Sequence, residues 1–427
     1  MKLKQAFVLG VALALCAPLS AQRLPTASPE SLGLSSERLQ RIGDAFQGYV
    51  DEGRIAGAVG MVIRHGKVAW VDEWGMRDLE AGDPVESTDI FSICSMTKPI
   101  VSVAVMMLYE EGHFFLTDPV GRYIPELAGL RVATTGEATN GEIPTERARR
   151  PITVQDLLRH TSGLTYGSFG NTPVDQAYRA ANVLGQPTLN DFISKLSEIP
   201  LLYQPGTRWN YSVSVDVLGR FVEVISGKPL DVFLEERIFE PLGMKDTGFS
   251  VPASETSRRA RSYGRSGGAP LAVSDAYGCM RPGGFPSGGG GLASTADDYS
   301  RFAQMLLNGG ELDGARIIGP KTLDLMTANQ LPGGADLTEI SQSLFSEAIH
   351  FDELEEQWPE IKEKVKESHF GEAMDIFRET LQESFTFKEA IDFFKIMRRR
   401  VKDAEQVSYA EDDPFIGLGV LFVFGYL

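Results

Sequence analysis

The chain has three cysteines and five histidines among 427 residues, and each scarcity removes a class of protein. Three cysteines cannot supply the disulfide framework of a small secreted scaffold. The histidines, at 65, 113, 160, 350 and 369, show no zinc-ligand spacing, so no metal is expected. Positive charge is also short. Against 58 Asp and Glu stand 41 Lys and Arg, a net charge of -17, which repels phosphate backbones and anionic headgroups. Nucleic acid is not an expected partner. The apolar stretches at 6–17 and 415–427 are both shorter than the roughly 18 residues a spanning helix needs, so no stable membrane anchor is expected.

What is present describes a globular protein. With 43% hydrophobic and 23% charged residues, the chain can bury large cores, and its length suits two or three structural units. Residues 1–21 read as a secretion signal: Lys2 and Lys4 precede the apolar stretch, and Ala21 supplies the small residue before a cut ahead of Gln22. Leu15 is bulkier than the small residue lipoprotein processing takes before a cysteine, so Cys16 is not read as lipidated. An exported protein, periplasmic or secreted, is expected. Export leaves Cys94 and Cys279. They are expected to be two buried thiols, with a bridge between them as the alternative.

Periodicity gives the organisation. Leu39, Ile42, Phe46 and Val50 predict a helix over 35–50 with Ser36 as its cap. Two β-rich runs, Ala58–Ile63 and Val68–Val71, flank His65-Gly66-Lys67 and predict a hairpin. A second helix runs from about Ser95 to Glu111, with Pro99 near its first turn and Gly112 as its stop. Further helices are predicted at 154–159, 189–196, 215–225, 230–240 and 296–307. Residues 349–413 differ from the rest: 18 Asp or Glu and 10 Lys or Arg, with apolar residues at helical spacing, predict a charged helical insertion without catalytic residues. The tail at 415–427 reads as a strand.

Ser95-Met96-Thr97-Lys98 places a hydroxyl and an amine one helical turn apart on one face. A serine needs a base to become a nucleophile, and a lysine serves only if burial and positive potential lower its pKa. A helix N-terminus supplies that potential and aims the Ser95 N–H at an attacked carbonyl oxygen. By itself the motif is weak, since roughly one Ser-x-x-Lys is expected by chance in a chain this long. The Gly-x-Ser-x-Gly match at Gly264–Gly268 lies in a loop rich in Arg, Gly and Pro and lacks its strand-to-helix context. His160, ending a helix, is read as structural, its charge suiting the dipole. The run Gly288–Gly291 lacks the Lys-Ser/Thr of a phosphate loop and is read as allowing close packing.

Ordered blocks make the serine motif specific. Phe91–Pro99, Leu157–Leu164, Gln204–Ser212, Glu240–Met244 and Gly288–Leu292 together resemble the serine β-lactamase-like hydrolases, in particular the class C β-lactamase and family VIII carboxylesterase branch, over about residues 27–345. The resemblance implies an α/β (α+β) fold of the serine β-lactamase/transpeptidase-like kind: an antiparallel sheet flanked by helices, plus a mostly helical domain. The implied domains are 22–100 with 288–345 and 414–427 for the sheet, and 101–287 for the helices. It implies Ser95 as nucleophile, Lys98 as its partner, and Tyr211, in the second motif, as general base toward Ser95 and then acid toward the leaving group. Acyl transfer by these side chains needs no cofactor. Val213 stands where lactamases carry an Asn that contacts a substrate amide, which favours esters over β-lactams or D-Ala-D-Ala peptides. The third motif, a Lys-Thr-Gly, His-Thr-Gly or Trp-x-Gly, is expected beyond residue 345. Lys321-Thr322-Leu323 lacks its Gly, and Ile416–Val420 resembles the strand that leads up to it. Without that motif the expectation is weakened catalysis, or a silent protein that only binds.

Overall fold

The computed structural model describes residues 23–134, 142–265, 270–275, 279–281, 283–335 and 337, and the backbone of a strand at Leu421–Gly425. Residues 1–21, read above as a secretion signal, and the charged segment at 349–413 lie outside the described residues, as does the rest of the chain beyond 345, where a third motif is expected, apart from Leu421–Gly425.

Helix α1 spans Ser36–Asp51, and its cap is Ser35 rather than Ser36: the Ser35 hydroxyl accepts the Arg38 N–H at 3.3 Å. Ser36 instead donates its hydroxyl to Glu30 at 2.5 Å, which leaves the preceding residue in the extended conformation a cap requires. Strands β1 (Gly57–Arg64) and β2 (Lys67–Asp78) form the expected hairpin. Its two-residue turn, His65-Gly66, has φ of 52° and 73°, the positive pair that matches the twist of antiparallel strands. The sheet continues through β3 (Asp83–Pro84), and Leu421–Gly425 pairs antiparallel with the other edge of β1.

Both faces of β1 are covered, which is why its sequence is apolar without alternation. On one side α1 packs Leu39 against Val62 and Ala69, and Phe46 stacks on Trp74 with ring centroids 4.8 Å apart. On the other, Val59, Met61 and Ile63 join the main core with helix α2 (Thr97–Glu110). α2 is apolar around most of its circumference because it is buried among the sheet and the helix Ser214–Ser226. Pro99 lies in its first turn, where a missing N–H costs little, and Gly112 at φ 82° follows its end.

The helices at Val154–Leu158, Leu189–Ser197, Ser214–Ser226 and Ala296–Leu307 match expectation closely. The one expected at 230–240 differs. It is α-helical over Leu230–Leu234 and then widens into a π-turn at Glu235–Phe239 before Glu240–Leu242. Ile238, Phe239 and Leu242 all stay buried through the widened turn. The fold is thus an antiparallel sheet flanked by helices, as the resemblance implied.

Candidate active site

Strand β4 (Phe91–Ser92) pairs with Ala293–Ser294, and the Ile93 N–H bonds to the Leu292 carbonyl at 2.9 Å. From this anchor the chain makes a tight 3-10 turn, Cys94–Met96, that feeds α2. Cys94 has φ 44°, in the left-handed region a non-glycine residue enters at a cost of about 1–3 kcal/mol. The turn leaves Ser95 exposed at the leading end of the helix, with Lys98 one turn on and buried.

Cys94 and Cys279 are joined by a disulfide, which corrects the expectation of two buried thiols. Cys94 is only half-buried and Cys279 is exposed. Their 185-residue separation hid the pairing, because nothing local in either segment reveals that the fold brings the two together.

The structure places Tyr211 beside both other expected residues. Its hydroxyl donates to the Ser95 Oγ at 2.6 Å, and the Lys98 ammonium donates to the same oxygen at 3.1 Å. Lys98 Nζ also lies 4.6 Å from the Tyr211 ring centroid. The ammonium's other two protons go to the Tyr166 hydroxyl at 3.0 Å and the Gly289 carbonyl at 2.5 Å. Three donors therefore meet three acceptors, and the neutral amine keeps two donors and gains one lone pair to receive a proton. Burial lowers Lys98 from 10.5 to about 8, with nearby Asp216 pulling the other way.

Tyr166 and Asp216 were missed by the sequence reading. Tyr166 stands two residues beyond the Leu157–Leu164 block, and Asp216 five beyond Tyr211; their nearness to those blocks was the only signal available. Tyr166 stacks on Tyr211 with centroids 5.4 Å apart. Burial, then the charge of Asp216, raise its phenol far above its ordinary range, so it stays neutral. Asp216 is fully buried; its Oδ1 accepts from the Ser287 hydroxyl at 2.5 Å and the Gly289 N–H at 3.0 Å, while its Oδ2 has no hydrogen-bond partner among the described residues. Burial raises this carboxyl, and Ser287, Lys98 and Gly289 oppose the rise without cancelling it.

The Gly-rich run packs closely, as expected. A Cβ on Gly288 would lie 2.5 Å from the Val215 carbonyl, and one on Gly289 would collide with Asp216 and reach 2.8 Å from the Tyr166 hydroxyl. Only glycine lets this segment bring its carbonyl to Lys98.

A second loop aims Tyr211. His160 adopts φ 57°, and its carbonyl accepts the Asn210 N–H at 2.8 Å. Its ring Nδ1 accepts the Ser212 N–H at 3.3 Å, which assigns the neutral tautomer protonated on Nε2. The expected charge–dipole role is thereby replaced by a different structural one: His160 holds both flanks of Tyr211, and its ring lies 5.0 Å from the phenol ring. Asn210 Nδ2 adds a bond to the Leu164 carbonyl at 2.8 Å. Beneath this loop the buried Asp156 accepts from Arg150, Arg159, Thr153 and Thr161. Val213 is fully buried in the core. Phe169, 55% exposed, packs on Tyr166 and Tyr211 with centroids 5.4 and 6.0 Å away, and forms an apolar wall near the serine.

An antiparallel sheet, a buried helix headed by Ser-x-x-Lys and a tyrosine delivered from the helical part define a serine β-lactamase-like hydrolase. Comparison with known proteins agrees. The profile of the Beta-lactamase family matches residues 42–344. Protein Rv1367c of Mycobacterium tuberculosis (strain ATCC 25618 / H37Rv) is 41% identical over 283 residues, 66% of this chain and 69% of that one. Esterase EstB of Burkholderia gladioli is 32% identical over 301 residues, 65% of this chain and 72% of that one. Among solved structures, EstCE1, described as a hydrolase with promiscuous acyltransferase activity, aligns with a TM-score of 0.56 at 26% identity, covering 68% of this chain and 77% of that one. The chain belongs to the beta-lactamase family, among the serine hydrolases and acyltransferases of that superfamily.

Proposed function

We propose that the protein hydrolyses small carboxylic esters through an acyl-enzyme on Ser95. The observation that carries this reading is the Ser95 Oγ receiving hydrogen bonds from both Tyr211, at 2.6 Å, and Lys98, at 3.1 Å. Around pH 8 a large share of Lys98 is the neutral amine, able to take the serine proton directly or through the Tyr211 hydroxyl. The Ser95 oxygen then bonds to the ester carbonyl carbon. The carbonyl oxygen becomes an oxyanion facing the N–H groups at the start of the helix. Tyr211 returns the proton to the departing alkoxide, and the ester bond breaks. Water, deprotonated by the same pair, releases the acid and restores Ser95.

Tyr166 and Gly289 hold the lysine in place throughout. Val213, sealed in the core, offers no amide side chain to a lactam, and the relative EstB carries the name esterase; both favour esters. The disulfide fits export to an oxidising compartment. The test is turnover of p-nitrophenyl butyrate against a chromogenic cephalosporin by wild type and Ser95→Ala. Ester turnover that disappears in Ser95→Ala is expected. Cephalosporin turnover alone would replace the ester reading with a lactamase, and neither activity would leave the silent binding protein.

A further inference from the structure

We infer that Cys279, through its disulfide to Cys94, is a positioning residue for the Ser95 nucleophile, so that opening the bond with a dithiol slows acyl transfer. The inference rests on the reading of Ser95 as nucleophile, and four observations on one turn lead to it. Cys94 immediately precedes Ser95 and is held at φ 44°, a conformation an L-residue with a side chain leaves readily when nothing constrains it. The peptide plane between Cys94 and Ser95 carries the Ser95 N–H, so rotation about Cys94 re-aims both that donor and the Ser95 side chain.

The partner strand of contacts ties the same turn a second time. The Cys279 N–H donates to the Ser92 Oγ at 3.1 Å, which bridges the residues on both sides of Ile93. The Gly-rich run also lies against it: a Cβ on Gly290 would fall 3.6 Å from the Cys94 carbonyl carbon and 3.9 Å from the Cys279 Cβ. Gly289, the next residue back, supplies the carbonyl that holds Lys98. Thus the covalent bond fastens the turn that bears the nucleophile, and the Gly-rich run packed against that bond supplies the carbonyl that orients its base.

The bond is also reachable, since Cys279 is exposed. A dithiol thiolate attacks one sulfur and forms a mixed disulfide. Its second thiol then closes the reagent into a cyclic disulfide, and two electrons and two protons end on Cys94 and Cys279 as thiols. Because a displacement near 1 Å at a reacting group costs about a hundredfold in rate, partial relaxation of the turn is read directly in the chemistry.

The experiment titrates the exported, oxidised protein with dithiothreitol under native conditions. Alkylation and peptide mass give the fraction of Cys94 and Cys279 reduced. At each point the rate of fluorophosphonate labelling of Ser95, and kcat and KM for p-nitrophenyl butyrate, are measured beside far-UV circular dichroism. The labelling rate and kcat should fall about tenfold or more in step with reduction, with KM changed less than about twofold and helicity retained, and should recover on re-oxidation. Cys279→Ser should reproduce the reduced state without any reductant. Equal rates in oxidised and fully reduced protein overturn the inference, as does a loss that only follows unfolding. Failure of the oxidised wild type to take the label overturns the nucleophile reading instead, and this inference with it.

Discussion

Asp156 and Asp216 are both fully buried carboxyls within helical segments, yet their surroundings differ in sign. Burial pushes Asp156 up, but hydrogen bonds from Arg150, Thr153 and Arg159 outweigh it and hold the carboxyl well below its usual range. Around Asp216 burial prevails: the cation that opposes it, Lys98, is itself lowered to about 8, and one carboxyl oxygen has no hydrogen-bond partner among the described residues. The first region has its charges matched and serves as an anchor. The second is left unbalanced, and the imbalance lies beside the side chain that must exchange a proton. Structure-bearing and chemistry-bearing charge can thus be told apart by whether their desolvation is compensated.

Removing the proton carrier should give the largest effect. Lys98→Met is expected to lower kcat/KM for p-nitrophenyl butyrate by about 10²- to 10⁴-fold in protein that circular dichroism shows to be folded. Asp156→Ala comes next and acts on stability: it strands Arg150 and Arg159 and breaks the cap made with Thr153, so chemical denaturation should show a loss of about 3 kcal/mol, with kcat of the remaining folded protein unchanged. A kcat loss at unchanged stability would erase the distinction between the two carboxyls.

Asp216→Asn should instead leave the fold at least as stable near neutral pH, since it removes a buried charge, and move the pH profile. The charge of Asp216 raises Lys98, so its removal lowers the lysine further and admits the neutral amine at lower pH. In wild type, kcat/KM should rise with pH through about 8; in Asp216→Asn the rise should come earlier, and an unmoved profile would deny the coupling. Stability follows the opposite signs of the pair. The depressed carboxyl of Asp156 stabilises the fold above the ordinary carboxylate range, and that contribution is lost as pH falls through its lower folded value. The raised carboxyl of Asp216 binds its proton more firmly when folded, so its cost is present at higher pH and is relieved as pH falls. The smallest effect belongs to Phe169→Ala, expected to raise KM for an aryl ester a few-fold at unchanged kcat.

How much of this was legible in the sequence follows from the range of each interaction. The hairpin at His65-Gly66, helix α1 and the Ser95–Lys98 spacing depend on residues a few positions apart, and their patterns were readable. Tyr211 was found through its block of neighbours. Tyr166 and Asp216 acquire meaning only when the helix Ser214–Ser226 packs near α2 and the Gly-rich run, a tertiary event with no local signature. The cysteine pairing is the extreme case, because each partner read alone as a small apolar residue. The cap shifted from Ser36 to Ser35 because Glu30, six residues back, binds the Ser36 hydroxyl. The left-handed turns at Cys94 and His160 were also invisible, since neither residue type announces positive φ.

The most direct measurement is rapid-quench intact-protein mass spectrometry during p-nitrophenyl butyrate hydrolysis, with peptide mapping of the quenched protein. A transient gain of one butyryl group, located on Ser95 and absent from Ser95→Ala, is the expected result. Hydrolysis that continues in Ser95→Ala, or a butyryl group located on another residue, would contradict the account.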